Sequence, residues 1–493
     1  MSTHSTSTGD RALPLLARLD PQAPMFWQRG RVFTQAQVLG RVRALAAALS
    51  AAIPAADQPS SQPFAQQWVN LCLGRHAFML AFCAALQRGC TNVLAADPSA
   101  GTLQRLRAQH PRLRVFSDDA ARSDVDMHVD EALWQAAADS PTNISIASDL
   151  VAALPFTSGS TGEPQAHPKR FGAMRLTADA TERRLFSEWP RYSVLATVPS
   201  QHMYGLETTL MLALGGRALV ACEHPLLPAD IVRALASLPR PRMLVTTPVH
   251  LRALVRSSDA LPAADRVLSA TAPLATELAA QAESRFGCEV HEIYGCTEAG
   301  SLATRRTTAG DLWHLLDGYS IRPSETSSTD MSAQVLGPQL LAPVLLPDRI
   351  ACVSSTHFRL LGRHEDVVNV AGKRASLAYL NQLLLQVDGV LDGLIYAPPA
   401  SAEKGAAAGD TAEMAAISER ARLQGLVVTD GRTERDVLRS LAGVMDAVFL
   451  PRPLRVVSAI PRNATGKVTR ETITALTVAK KTGRLDPNDQ GAS

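Results

Sequence analysis

The sequence lacks the features that define several classes of protein. Its seven cysteines are odd in number and include no Cys-x-x-Cys pair, which argues against a disulfide framework or zinc site and fits a reducing cytosol. No run approaches the roughly 18 uninterrupted apolar residues of a membrane span, and the polar first ten residues lack the apolar core of a signal peptide. The net charge is only +3, which gives no case for a nucleic-acid or membrane-surface partner. We therefore expect a cytoplasmic protein.

Length and composition describe a globular chain with room for more than one domain. At 493 residues the chain exceeds the size at which a single hydrophobic core stops growing. Hydrophobic residues make up 46% of the chain and charged residues 19%, which argues against a disordered protein.

Strand and helix patterns alternate along most of the sequence. Thr34-Gln-Ala-Gln37 has the form of a capping box and precedes an amphipathic helix. The apolar run Trp68–Leu73 predicts a strand, and Phe78–Leu86 predicts the helix that follows. The same alternation resumes after residue 190. This order predicts an α/β fold with a mainly parallel sheet, in which ligands bind beyond the carboxyl ends of the strands.

The character of the sequence changes near residue 362. The preceding stretch, Gln334–Leu360, has more β character, and the block after it contains the Ala/Gly-rich segment Pro398–Ala412, which predicts an exposed loop or disordered insert. We predict a large domain over residues 1–362 and a smaller α+β domain over residues 363–493.

The stretch Phe156–Pro164 has the composition of a phosphate-binding loop. It reads Phe-Thr-Ser-Gly-Ser-Thr-Gly-Glu-Pro and follows an apolar run that predicts an arriving strand. Glycines let backbone N–H groups converge on one point, and the hydroxyl groups add further donors, so such a loop suits a polyphosphate. The same composition is also common in ordinary surface turns.

Four other stretches combine polar residues with the ends of predicted elements: Pro199–Gly205, Ile293–Gly300, Leu361–Arg374 and Ile460–Arg470. Taken singly, their polar residues have ordinary explanations: a half-buried histidine, a helix-terminal carboxylate, a surface ion-pair cluster and a solvated lysine. Together they supply what a nucleoside triphosphate and its metal require, namely a hydroxyl-rich loop, a carboxylate, an arginine and a lysine.

Two better-known loops do not match the sequence. A Walker-type loop requires Gly-Lys-[Ser/Thr], whereas Gly162 is followed by Glu163. The Gly-x-Ser-x-Gly turn of serine hydrolases is not formed by Ser158-Gly-Ser-Thr-Gly162.

The order and content of these motifs resemble the adenylate-forming superfamily of acyl- and aryl-CoA synthetases, nonribosomal adenylation domains and luciferases. The likeness extends from about Phe26 to Leu476. The matching segments are the phosphate loop Phe156–Pro164, Tyr294-Gly-Cys-Thr-Glu298, Gly362-Arg-His-Glu-Asp366 with Asn369–Arg374, and Pro461–Lys467. The resemblance implies a large multilayer α/β domain and a smaller, mobile α+β C-terminal domain.

The resemblance also implies a two-step reaction. A carboxylate attacks the α-phosphate of ATP with Mg²⁺ present, giving an acyl-adenylate and pyrophosphate. A thiol of CoA, or of the phosphopantetheine on an acyl carrier protein, then displaces AMP and forms a thioester. Because no carrier domain follows Lys467, we expect a free-standing ligase.

Site roles carry over by position, beginning with the nucleotide. The residues implied are Thr157, Ser158, Gly159, Ser160, Thr161 and Gly162 around the β- and γ-phosphates, Thr297 at the α-phosphate, Glu298 on Mg²⁺, Asp348 and Arg363 on the ribose, and Ala270, Thr271, Ala272, Tyr294 and Gly295 in the rest of the nucleotide site.

The remaining roles concern the acid, the catalytic step and the domain movement. The residues implied are His202 beside the acyl pocket, Lys467 bridging the carboxylate and the α-phosphate, Glu365 as the hinge, and Gly372 and Arg374 on the loop that the hinge brings to the pantetheine tunnel.

Two positions depart from the family pattern. The phosphate loop usually continues Pro-Lys-Gly, but here Gln165 replaces the lysine, and we expect Lys169 to reach the same phosphates. The hinge more often carries Asp, and Glu365 keeps the charge with one more methylene. These departures leave open a degenerate nucleotide-binding protein without turnover.

The local details Gly-Glu-Pro-Gln and Asn-Val-Ala-Gly-Lys-Arg are similar to those of stand-alone ligases in aryl polyene pigment pathways. This narrower resemblance implies an aromatic acid as the substrate.

Overall fold

The structure is a computed structural model, and it describes residues 12–51, 66–94, 99–158, 164–257, 260–324, 331–363, 367–370, 373–398, 422–462, 468 and 472–473. The side chains of Thr157, Ser158, Arg363 and Arg374 are not among the described parts.

The strands of the described chain are numbered in order. They are β1 (Ala12–Pro14), β2 (Pro24–Gln28), β3 (Arg31–Thr34), β4 (Gln67–Asn70), β5 (Thr91–Leu94), β6 (Arg114–Ser117), β7 (Met127–His128), β8 (Ser145–Ala147), β9 (Val151–Ser158), β10 (Pro164–Ala166), β11 (Lys169–Arg170), β12 (Tyr192–Ala196), β13 (Ala218–Ala221), β14 (Arg242–Thr246), β15 (Arg266–Ser269), β16 (Glu289–Cys296), β17 (Gly300–Arg306), β18 (Leu312–Leu315), β19 (Ser320–Pro323), β20 (Ala333–Leu336), β21 (Val344–Leu345), β22 (Asp348–Cys352), β23 (His357–Arg363), β24 (Val367–Val370), β25 (Lys373–Ser376), β26 (Val390–Tyr396), β27 (Gln424–Thr429) and β28 (Leu454–Val456).

The helices are numbered in the same way. They are α1 (Gln35–Ala51), α2 (Arg75–Gln87), α3 (Ala100–Gln109), α4 (Phe171–Phe186), α5 (Met203–Leu206), α6 (Leu212–Leu214), α7 (Pro228–Ser237), α8 (Pro248–Arg256), α9 (Thr276–Phe286), α10 (Leu377–Gln386) and α11 (Glu434–Ala442). A π-helical segment, Glu207–Met211, joins α5 to α6. Within the described ranges, no helix is both long enough and apolar enough to cross a membrane.

The chain divides into two compact units. The larger contains the described residues up to Ser324, together with Ala333–Leu346 and Cys352–Arg359. The smaller contains residues 331–332, Pro347–Ala351 and the described residues from Leu360 onward. The domain boundary after residue 362 stays a prediction.

The main sheet of the larger unit has a parallel centre. Its strands follow the order β18-β17-β16-β15-β14-β12-β13-β2-β3. The neighbouring pairs from β16 to β2 are parallel, whereas β17, β18 and β3 are added antiparallel. Parallel neighbours end at one edge of the sheet, so the loops after β12, β13, β14, β15 and β16 lie together there.

A second sheet carries the predicted phosphate loop. Its order is β10-β9-β5-β4-β6-β7, and β11 also pairs with β9. The pairs from β9 to β7 are parallel, and β10 and β11 run antiparallel to β9. The largest core contains apolar residues of both sheets and of α1 and α2, including Phe26, Trp68, Phe78 and Phe171.

Local sequence signals explain several element boundaries. The Thr34 hydroxyl accepts a hydrogen bond from the Gln37 N–H at 3.3 Å, and the Gln37 side chain accepts one from the Thr34 N–H at 3.2 Å. This reciprocal pair confirms the predicted capping box at the start of α1. At the other end of a helix, Gly287 follows α9 with φ of 68°, the left-handed conformation that favours glycine.

The smaller unit has its own core. Strands β26, β27 and β28 form a sheet, with β26 and β27 antiparallel and β27 and β28 parallel. Helices α10 and α11 contribute buried residues to this core, among them Leu380, Leu384, Val437 and Leu441. A hairpin of β24 and β25 pairs Asn369 with Arg374.

Candidate active site

The carboxyl edge of the main sheet gathers three of the predicted site segments. His202 lies on the loop after β12, Ala270–Ala272 follow β15, and Thr297 and Glu298 follow β16. His202 is half-buried and directly precedes α5. Sequence and topology thus bring residues predicted beside the acid, the nucleotide and the metal to one edge.

The predicted phosphate loop connects two paired strands. Ser158 at the end of β9 pairs with Pro164 at the start of β10, and Thr157 pairs with Gln165. Gly159, Ser160, Thr161 and Gly162 lie outside the described residues, as do Glu365, Gly372 and Lys467. The hairpin places the loop's two ends side by side, which fits a loop that closes around one ligand.

Thr297 and Glu298 lie in the turn of a second hairpin. Cys296 and Gly300 are paired across β16 and β17, so Thr297-Glu298-Ala299 is the connecting turn. Gly300 has φ of 81°, and a glycine in this conformation is typical of a three-residue hairpin loop. Gly295 has no room for a side chain, because an added Cβ would lie 2.4 Å from the Gly300 carbonyl oxygen.

Lys169 connects the two hairpins. It pairs with Ala153 of the phosphate-loop strand β9, and its Nζ donates a 2.5 Å hydrogen bond to the carbonyl oxygen of Glu298. The side chain is buried, and burial lowers the pKa of Lys169, while the negative charges of Glu207 and Glu298 oppose that shift. The sequence predicted Lys169 as a phosphate ligand; the structure places its ammonium on the turn that carries the predicted metal ligand.

A cavity of about 200 Å³ opens beside Lys169. Its lining includes His167, Lys169, Arg170 and Glu298, together with the segment Pro338–Val344. Burial lowers the pKa of His167, and the nearby Glu298 carboxylate opposes that shift. Cationic side chains next to a half-buried carboxylate suit a ligand that is an anion carrying a metal ion.

Glu298 fits the role of a magnesium ligand. The residue is half-buried and lines the cavity. No group of three potential His, Cys, Asp or Glu ligands occurs in the described part of the chain. Mg²⁺ needs only one or two protein carboxylates when phosphate and water oxygens complete its shell. A residue with a hard oxygen donor beside this cavity therefore matches this metal.

Glu207 and Ser301 were not predicted from the sequence. Glu207 is buried, and its carboxylate accepts hydrogen bonds from the Ser301 backbone N–H at 3.0 Å and from the Ser301 hydroxyl at 2.5 Å. Burial raises the pKa of Glu207, while the Ser301 hydrogen bonds and the charge of Lys169 oppose that shift. A charged residue inside the apolar run from Gly205 to Leu214 was the signal that could have identified it.

Tyr204 forms hydrogen bonds to two neighbouring strands, β14 and β15. Its hydroxyl donates to the carbonyl oxygens of Leu268 at 2.9 Å and Thr246 at 3.2 Å. Burial raises the pKa of Tyr204 well above its usual range, so the phenol stays neutral. Tyr204 thereby ties the start of α5, next to His202, to β14 and β15.

Two histidines near the same edge, His224 and His250, were also missed. The Nε2 of His224 donates to the Thr197 carbonyl oxygen at 3.1 Å, and the Nδ1 of His250 lies 3.1 Å from the Thr197 hydroxyl and 3.2 Å from the Thr247 hydroxyl. Burial lowers the pKa of His224 to about 4 and also lowers that of His250. Both rings are therefore neutral at pH 7.

Two of the residues predicted around the rest of the nucleotide have a constrained backbone or a packed ring. Thr271 has φ of 77°, an unusual conformation for a β-branched residue and one that is often found at ligand sites. Tyr294 is buried, with its ring 5.7 Å from that of Trp313 and 5.6 Å from that of Phe358. These contacts fix the strand that leads into the Thr297–Ala299 turn.

The predicted ribose and acceptor residues belong to the smaller unit. Asp348 is buried at the start of β22, and Arg363 ends β23. Arg374 lies on β25. Close to the predicted catalytic loop, Arg462 donates from Nη2 and Nε to the two carboxylate oxygens of Asp392 at 2.7 and 3.2 Å.

Comparison with known proteins identifies the family. The chain matches the AMP-binding enzymes over residues 16–326, more than half its length, and it belongs to this family. It is 29% identical over 331 residues to a 4-coumarate–CoA ligase of Halorhodospira halophila, covering 66% of this chain and 77% of that protein. It is 26% identical over 365 residues to a 3-hydroxybenzoate–CoA/4-hydroxybenzoate–CoA ligase of Thauera aromatica, covering 66% of each.

The fold is that of the adenylate-forming enzymes, as the family resemblance predicted. The o-succinylbenzoate–CoA synthetase of Bacillus subtilis, solved with ATP and a magnesium ion, superposes with a TM-score of 0.74 at 17% identity, covering 94% of this chain and all of that one. The shared architecture is a large mixed α/β region followed by a smaller one.

Proposed function

We propose that this protein activates a carboxylic acid with ATP and transfers the acyl group to a pantetheine thiol. The observation that carries the proposal is the Lys169–Glu298 hydrogen bond, which joins the phosphate-loop hairpin to the turn holding Thr297 and Glu298. Membership of the AMP-binding enzymes supports the nucleotide chemistry.

In the first step, a carboxylate oxygen of the acid attacks the α-phosphorus, and the bond to the β-phosphate oxygen breaks to release pyrophosphate. Thr157–Gly162 would hold the leaving phosphates and Thr297 the α-phosphate, while Lys467 would stabilise the charge that develops in the transition state. Glu298 would hold Mg²⁺, which when bound neutralises phosphate charge. Lys169 contributes a buried positive charge beside this turn, which compensates for Gln165.

In the second step, the thiol sulfur attacks the acyl carbon, the acyl–phosphate bond breaks, AMP leaves and the thiol proton passes to solvent. Asp348 and Arg363 would hold the ribose, with Ala270, Thr271, Ala272, Tyr294 and Gly295 around the rest of the nucleotide. His202 would lie beside the acyl group. Rotation about Glu365 would bring Gly372 and Arg374 to the pantetheine.

The substrate we propose is an aromatic acid. Two relatives are named for 4-coumarate and for 3- and 4-hydroxybenzoate, and the local likeness to ligases of aryl polyene pathways points the same way. The acceptor is CoA or a carrier-protein phosphopantetheine, and we propose a cytoplasmic location.

Pyrophosphate exchange tests the first step. The full chain is incubated with ATP, Mg²⁺, labelled pyrophosphate and a panel of aliphatic and aromatic acids, and exchange is expected with aromatic ones. Mass detection of the thioester, with CoA and with a phosphopantetheinylated carrier protein in separate reactions, then identifies the acceptor. A folded chain that binds ATP but exchanges with no acid would instead be the degenerate nucleotide-binding protein.

A further inference from the structure

The carboxylate of Glu207 holds one side of the hairpin that carries Glu298. Glu207 begins the π-helical segment Glu207–Met211, and its side chain is buried. One of its oxygens, Oε2, accepts both hydrogen bonds from Ser301, the second residue of β17. These two residues are 94 positions apart in the chain. The contact therefore links the π-helical segment, which follows His202 and α5, to strand β17 after the turn.

The other oxygen of Glu207 lies against Gly300. A Cβ added to Gly300 would be 2.6 Å from Glu207 Oε1, and Gly300 already has φ of 81°. A residue with a side chain at position 300 would therefore displace the carboxylate. The turn and the carboxylate fit together because this position has no side chain.

Lys169 holds the same turn through the Glu298 carbonyl oxygen. Its positive charge and the negative charge of Glu207 favour each other's ionised forms, against the cost of burial. Buried ionised side chains cost free energy that an apolar pair of similar volume would avoid. Lys169 thus contacts Glu298, the central residue of the three-residue turn, and Glu207 contacts Ser301, two residues beyond the turn.

We propose that Glu207 is a positioning residue for nucleotide-bound Mg²⁺. Together with Lys169 it fixes the Thr297–Ala299 turn and the strand after it, and so holds Glu298 beside the cavity. This inference rests on the proposed function, in which Glu298 is the metal ligand. Glu207 also connects the helical segment after His202, which we propose lies beside the acid, to the turn that carries the proposed metal ligand.

Calorimetric titration of Mg²⁺ into the full chain with the α,β-methylene analogue of ATP, whose bond between the α- and β-phosphates cannot be cleaved, tests the proposal without turnover. Residues that orient metal ligands typically contribute roughly 10- to 100-fold in metal affinity. Glu207→Ala is expected to weaken Mg²⁺ binding by roughly that factor, and Ser301→Ala by less, because the Ser301 backbone N–H remains. Binding of the analogue without Mg²⁺ should be unchanged in both variants.

Glu182→Gln is the matched control. Glu182 is also a buried carboxylate, with hydrogen bonds from Tyr192 and Arg18, and it lies near the end of α4. The control should bind Mg²⁺ as the wild type does. Equal loss of Mg²⁺ affinity in Glu182→Gln, or wild-type affinity in Glu207→Ala, would overturn the proposal.

Two further measurements complete the test. Thermal unfolding identifies a Glu207→Ala protein that fails to fold, in which case Ser301→Ala decides: weaker Mg²⁺ binding supports the proposal, and wild-type affinity overturns it. Wild-type chain that binds no Mg²⁺ with the analogue also overturns it. Wild-type chain that shows no pyrophosphate exchange, but whose Mg²⁺ affinity depends on Glu207, would refute the ligase function and leave the positioning role standing.

Discussion

The ammonium of Lys169 and the carbonyl oxygen of Glu298 are 2.5 Å apart, although 129 positions separate the two residues in the chain. Lys169→Met keeps most of the side-chain volume and removes both the donor and the charge. We expect the KM for ATP to rise roughly tenfold, with a smaller fall in kcat, because the turn that holds Glu298 loses one support. Exchange assays over a range of ATP concentrations measure both constants.

Arg170→Met is the control for Lys169. Arg170 is the next residue, lines the same cavity and is exposed. If loss of charge near the cavity were the whole effect, the two variants would raise the KM for ATP equally. A larger rise for Lys169→Met is what the buried hydrogen bond predicts.

Lys467→Ala tests the proposed chemistry. Removal of a group that stabilises transition-state charge commonly lowers kcat by roughly 10²- to 10³-fold, and we expect pyrophosphate exchange to fall by that order while acid binding persists. Arg439→Ala, which removes an exposed positive charge from α11 of the same unit, should leave exchange unchanged. An undiminished exchange rate in Lys467→Ala would remove this lysine from the mechanism.

Local sequence patterns predicted helices and strands, but they could not predict contacts between residues that are far apart in the chain. The Thr34 capping box and helix α2, predicted over Phe78–Leu86, follow from neighbouring residues, because hydrogen bonds and apolar spacing within one segment determine them. The Glu207–Ser301 contact joins segments that are distant in the chain. The spacing of residues within one segment does not indicate which buried partner a carboxylate will contact. Lys169 was predicted to be important from its sequence position, but its bond to Glu298 was visible only in the fold.

Gly300→Ala should destabilise the protein and weaken activity together. A left-handed conformation costs a residue with a side chain about 1–2 kcal/mol, and the new Cβ would also press on Glu207 Oε1 at 2.6 Å. We expect the free energy of unfolding in urea to fall by about 2–4 kcal/mol in total.

Gly287→Ala separates the two effects of Gly300→Ala, which are the strained backbone conformation and the contact with Glu207. Gly287 also has positive φ, at 68°, but an added Cβ there meets nothing within 4 Å. It should lose only the backbone cost, about 1 kcal/mol, and keep its exchange activity. Equal losses of stability and activity at the two glycines would show that the Glu207 carboxylate does not constrain position 300.

Stability should fall in mild acid because of His76. This ring is buried, 5.0 Å from that of Phe33, and burial, with Arg41 and Arg31 nearby, lowers the pKa of His76 from 6.5 to about 4. The folded protein therefore binds this proton less readily than the unfolded chain. The stabilisation that results from keeping His76 neutral is fully present above pH 6.5 and is lost as the pH falls to about 4. The free energy of unfolding changes by roughly 3 kcal/mol over this range.

His76→Phe tests this origin of the acid sensitivity, because phenylalanine fills a similar space and does not titrate. Urea unfolding at several pH values between 6.5 and 4 should show a shallower loss of stability for this variant than for the wild type. The exposed His128, changed to Gln, is the control and should leave the slope as it is. A wild-type slope in His76→Phe would assign the acid sensitivity to other groups, of which His224 is the next to test because burial lowers its pKa equally far.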